Sequence, residues 1–164
     1  MNIPKTELHV VENFFGHKIG SNLVAFLERN HGWTDRRIGT IKINQSIPLS
    51  YELADDLGST TACFYKVFST KEIIESFECR SYLEEFKEHF ELDEDYVETE
   101  FLLPLIEIAD GSVLYVAIHG KREGKLYVVD CGDFGITMIP ETIDQIQSLL
   151  DLNKQSEPAD GSNG

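Results

Sequence analysis

The chain has 164 residues, 41% of them apolar and 26% charged, a balance that suits one ordinary globular domain and lies away from the composition of disordered chains. Twenty-nine acidic against fourteen basic side chains leave a formal net charge of -15. Such a surface repels phosphate backbones and anionic lipid headgroups and favours cationic partners, so neither direct nucleic-acid binding nor membrane binding is expected.

The predicted elements begin with a short amphipathic helix over Thr6 to Gly16, in which Leu8, Val11 and Phe15 share a face beside Val10 and Phe14. A second helical run follows a break at Gly16 to Ser21. Leu23, Phe26 and Leu27 form its apolar face and Asn30-His31-Gly32 its stop, and the two helices are expected to pair as a hairpin. From Ile38 the pattern switches to period two, with Ile41, Ile43 and Gln45 on one side and Lys42 and Asn44 on the other, a half-buried strand ended by Pro48. Ser46 to Ser59 stays unassigned. Ala62 to Phe68 reads as a strand rich in β-branched and aromatic residues.

The strongest helix signal comes next. Ser69 and Glu72 have capping-box spacing, and Ile73, Ile74, Phe77, Tyr82, Leu83, Phe86 and Phe90 make an apolar stripe over five turns, with a break expected near Cys79 to Ser81. Beyond an acidic stretch the chain turns to strands at Phe101 to Ile108, Val113 to Ile118, Lys125 to Val129 and Ile136 to Ile139. The short Gly-containing links between them imply an antiparallel meander. Pro140 suits the first turn of a closing helix whose Ile143, Ile146, Leu149 and Leu150 dock on the sheet. The fold class expected is therefore α/β of the α+β kind: a single domain over residues 1–152, a mostly antiparallel sheet flanked by helices, and a disordered tail over 153–164.

That order of elements, together with particular residues, resembles the SMI1/KNR4 (SUKH) superfamily. Phe101 to Gly135 is similar to the family's apolar-Pro-apolar strand, acidic-Gly turn, second strand, Gly-Lys hairpin and strand ending in Asp, carried here by Pro104, Asp110-Gly111, Gly124-Lys125, Tyr127 and Asp130. Leu23 to Gly32 resembles its first signature, an apolar helix ending in Asn-Gly, although His31 separates Asn30 from Gly32. Pro140 to Ile146 stands at the family's closing helix but lacks its Ser-Phe start, and the Leu-Pro and aromatic pair before the Leu23 helix is missing. The resemblance implies an immunity protein that binds and neutralises a polymorphic bacterial toxin, often a nuclease. The alternative it leaves is a regulatory or scaffolding protein-binding domain of the same fold.

Charge distribution points the same way. Between Lys71 and Glu100 twelve acidic residues face three basic ones, a net of -9. Such a run either keeps a surface wet or forms a partner face. The partner-binding residues expected are Glu84, Glu85, Glu88, Glu91, Asp93, Glu94, Asp95, Glu98 and Glu100. The Glu91-Leu92-Asp93-Glu94-Asp95 run lacks the sixth-position Gly and twelfth-position Glu of an EF-hand, so no metal is expected.

For catalysis the available pieces are Cys131, His119 and Asp130 or Asp133, and nothing in their spacing arranges a lowered thiol pKa. Cys63, Cys79 and Cys131 have no CxxC spacing and read as apolar fillers, and Asp133-Phe134-Gly135 stands without the other parts of a kinase. Five scattered histidines offer no ligand spacing, and Trp33 is either a packing anchor or an interface residue. No enzyme and no cofactor are expected. With no signal-like N-terminus and no long apolar run, a cytoplasmic protein is expected, its oligomeric state open.

Overall fold

The computed structural model describes residues 5–44, 59–78, 101–109, 111–130 and 135–156. Six strands, β1 (Thr34–Asn44), β2 (Ser59–Val67), β3 (Leu102–Ile108), β4 (Val113–Ala117), β5 (Leu126–Asp130) and β6 (Gly135–Ile139), form one sheet in sequential order with every neighbouring pair antiparallel. Helices α1 (Lys5–Phe15), α2 (Ser21–Asn30), α3 (Thr70–Glu78) and α4 (Ile143–Ser156) flank it. The expected α+β domain and meander are thus both present, and the meander extends through all six strands.

The two central strands are buried almost throughout: Leu102 to Ile106 in β3 and the whole of β4. Full burial of both strand faces explains why these segments read as continuous apolar runs rather than alternating ones. Ile108 and Ser112 close the β3–β4 hairpin, with the Ile108 N–H donating to Ser112 O at 2.9 Å. Gly111 supplies the positive φ of +89° that this tight loop needs. Around this centre pack Val11, Leu23, Phe26, Leu27, Ile38, Phe64, Ile73, Ile146 and Leu150, each nearly inaccessible to solvent. Burying a side chain of this size stabilises the fold by roughly 1.5–3 kcal/mol.

Several boundaries differ from the sequence reading for identifiable reasons. β1 starts at Thr34, four residues earlier than the period-two pattern, because an irregularity in register between Thr34 and Gly39 breaks the alternation there. α1 packs mainly on α3, and α2 on α4, so the expected α1–α2 hairpin is replaced by two pairs of helices distant in the sequence. α3 is described to Glu78, and the rest of the predicted five-turn stripe lies outside the described residues. Pro140 lies ahead of α4, not in its first turn. Thr142 caps the helix instead: its Oγ1 accepts from the Gln145 N–H at 3.3 Å while Gln145 Oε1 accepts from the Thr142 N–H at 2.9 Å. The boundary expected at 152 falls inside α4, which runs on to Ser156.

Candidate protein-binding face

The nine carboxylates expected to meet a partner, Glu84, Glu85, Glu88, Glu91, Asp93, Glu94, Asp95, Glu98 and Glu100, lie outside the described residues, as do Cys79, Cys131 and Asp133. Their flanks are described in detail. On the upstream side, Phe77 in the last turn of α3 packs edge-to-face on Phe15 at 4.7 Å and Phe14 at 5.4 Å between ring centroids. On the downstream side, Phe101 packs edge-to-face on His17 at 5.0 Å and His119 at 4.8 Å. Phe15 and His17 are two residues apart, so Phe77 and Phe101, the described aromatic residues on either side of the stretch, both meet the C-terminal end of α1 or the turn after it.

Side chains around this point are apolar and aromatic. Val10 and Phe14, one turn apart on α1, are 55% and 39% exposed. The apolar stripe of α1 itself faces inward, with Val11 buried and Leu8 and Phe15 packed on the core. Thr70 Oγ1 donates to Glu7 Oε2 at 3.0 Å and ties α1 to α3. Of the acidic residues that precede the stretch, Glu75 is within 3.7 Å of Lys71 across one exposed helical turn, a pair worth little in water. Glu72 pairs with Lys66 and also caps α3: Ser69 Oγ accepts from the Glu72 N–H at 3.2 Å and donates to Glu72 Oε1 at 3.0 Å. The Ser69 half of the capping box read from the sequence is present, while the Glu side chain turns to the Ser hydroxyl and to Lys66.

Neither metal nor nucleophile chemistry is assembled here among the described residues. Among the described residues no group of three or more His, Cys, Asp or Glu side chains converges. His17 and His119 stack face to face, centroids 3.9 Å apart and planes 21° from parallel, instead of pointing at a common centre. Cys63 is a free, half-buried thiol in β2. Of the possible catalytic set, only His119 lies among residues whose side chains are described, and it is exposed.

Two polar clusters missed by the sequence reading secure the described scaffold. Asn30, at the end of α2, is almost fully buried, and its Nδ2 donates to Phe26 O at 2.8 Å and to Gln147 Oε1 of α4, while its Oδ1 accepts from Lys154 Nζ at 3.2 Å. Lys154 Nζ also lies 4.3 Å from the centroid of Trp33, and Asn153 Nδ2 donates to Arg37 O at 3.0 Å. Trp33 is thus a half-buried packing residue covered by a cation. Nothing but the Asn-x-Gly stop marked Asn30, because its side-chain partners Gln147 and Lys154 come from more than a hundred residues away.

The second cluster sits on a β2 bulge. Lys66 stands opposite Glu107 in register while Tyr65 is the extra residue, and the Lys66 ammonium pairs with Glu72 while the Tyr65 hydroxyl bonds Glu107. Hydrogen bonding to Glu107, then burial and the Glu107 charge, push the Tyr65 hydroxyl up to about 12. Its hydrogen bond to Glu72 leads the causes that raise Lys66.

No protein-family model matches the chain, and no curated protein matches it either. Among the described residues no helix is long and apolar enough to cross a membrane.

Proposed function

We propose that this chain is an immunity protein of the SMI1/KNR4 kind, which binds a cationic bacterial toxin in the cytoplasm and neutralises it by stoichiometric occlusion. The observation that carries the reading is charge density. Between Cys79 and Glu100, nine acidic residues stand against two basic ones, Arg80 and Lys87. Like charges packed along one stretch contribute nothing to folding, since each pair at about 8 Å repels by roughly 0.5 kcal/mol in water before screening. They are well suited to steering a basic surface into contact.

A nuclease must hold phosphates with Lys and Arg, so a carboxylate-rich face competes for the same groups. The rims of the stretch supply what charges alone lack. Val10 and Phe14 are exposed apolar side chains at its upstream end, fit to be buried on docking as an anchor inside a polar rim.

An immunity gene is expected beside the gene of its toxin. Co-expression of this chain with the product of the adjacent reading frame should restore growth and yield an equimolar complex. No complex with, and no protection against, either neighbouring product contradicts the proposal.

A further inference from the structure

We infer that the last turn of α4, from Asp151 onward, is a latch that opens on its own, ahead of global unfolding, and uncovers Trp33 and the adjoining edge of β1. The helix divides at Leu150. Up to that residue it is fastened by apolar burial: Ile143, Ile146 and Leu150 are buried and Leu149 packs on the core. Beyond it no apolar group among the described side chains is buried, and Leu152 is 67% exposed. A segment without buried apolar contacts belongs to the part of a fold that opens at low free energy. This inference stands on the described residues alone and does not rest on the proposed function.

The described contacts that hold the turn are polar. Arg29 Nη2 donates to both carboxylate oxygens of Asp151 at 3.0 Å, an exposed pair of small net worth. Asn153 Nδ2 donates to Arg37 O, and Lys154 Nζ donates to Asn30 Oδ1 while lying over the Trp33 ring. Arg37 belongs to β1, the first strand of the sheet, which pairs with β2 alone among the described strands. The turn therefore covers backbone that an edge strand otherwise presents to water or to another chain. Opening strands little behind it. Asn30 keeps its Nδ2 bonds to Phe26 O and Gln147 Oε1, both outside the turn, and the released Asn30 Oδ1 and Arg37 O pass to the water that enters. What is lost is a few contacts beside solvent, and what is regained is the conformational freedom of the turn. Because a helical turn winds and unwinds cooperatively, Asn153 and Lys154 leave together, and Trp33 is uncovered with them.

Trp33 is the chain's only tryptophan, so acrylamide quenching of the full-length protein's fluorescence reads the latch directly. The test variant is Gln155→Pro. Gln155 is exposed, and proline there breaks the helical bonding of the last turn while leaving Asp151, Asn153 and Lys154 in the chain. The expected result is a two-fold or greater rise in the Trp33 quenching constant under native conditions, with the urea midpoint lowered far less than by Leu150→Ala, which cuts into the buried part of the same helix. Equal quenching of Trp33 in Gln155→Pro and the unaltered protein, or a fall in urea midpoint as large as that of Leu150→Ala, overturns the inference.

Discussion

Gly39 is the closest approach of helix to sheet. A Cβ built there collides with Leu149 Cδ2 and lies 3.1 Å from Leu150 Cδ2, both in α4. Half-buried Leu149 can swing aside, but Leu150 is fully enclosed, so Gly39→Ala should destabilise by about 1–3 kcal/mol in urea denaturation. In a Leu149→Ala background that cost should shrink; an unchanged cost would place the strain elsewhere. At Tyr65, the proton on the hydroxyl is held more tightly in the folded chain than in the unfolded one, and the same is true of Lys66. The stability this contributes is complete below about pH 10 and is lost as pH rises through about 12. An alkaline stability profile should fall over that window and flatten in Tyr65→Phe; an identical slope in the variant contradicts the assignment. None of these features was legible in the sequence. A glycine in a strand signals close approach only in general, and the Tyr65–Glu107 and Asn30–Gln147 meetings depend on pairings far apart in the chain.

Elements were more readable than their contacts. β3 to β6 stand within one or two residues of the apolar runs that announced them, because each run is short and bounded by Gly or Asp turns. The helix stop at Asn30-His31-Gly32 holds for the same local reason, Gly32 taking a φ of +73°. Pairing of helices was misread because amphipathic faces state that a helix docks, not on what. α4 was misread at both ends. Its start follows the reciprocal Thr142–Gln145 cap instead of Pro140, and its last turn is held by Asn153 and Lys154, polar residues that look like a tail until their partners Arg37 and Asn30 are in place. Thr142→Ala should therefore cost about 1 kcal/mol of stability in chemical denaturation. A loss no larger than that of an exposed substitution such as Gln155→Ala would show that the cap contributes nothing.

Across the whole molecule, a -15 charge is carried by a sheet whose centre is sealed and whose helices are bolted together by a few long-range polar contacts. The acidic stretch was legible as a feature from composition alone, whereas the nine residues expected to bind lie outside the described part of the chain, and what the structure adds is the setting at its two ends: Phe77 on Phe14 and Phe15, Phe101 on His17 and His119. If that stretch is the binding face, charge acts mainly on encounter. The most direct test is the association rate with the adjacent gene's product at low salt, for the unaltered chain and for a variant with Asp93, Glu94 and Asp95 all changed to Lys. A fall of roughly ten-fold or more is expected in the variant, shrinking as salt is added, with circular dichroism unchanged. An equal association rate for the two proteins at low salt would contradict it.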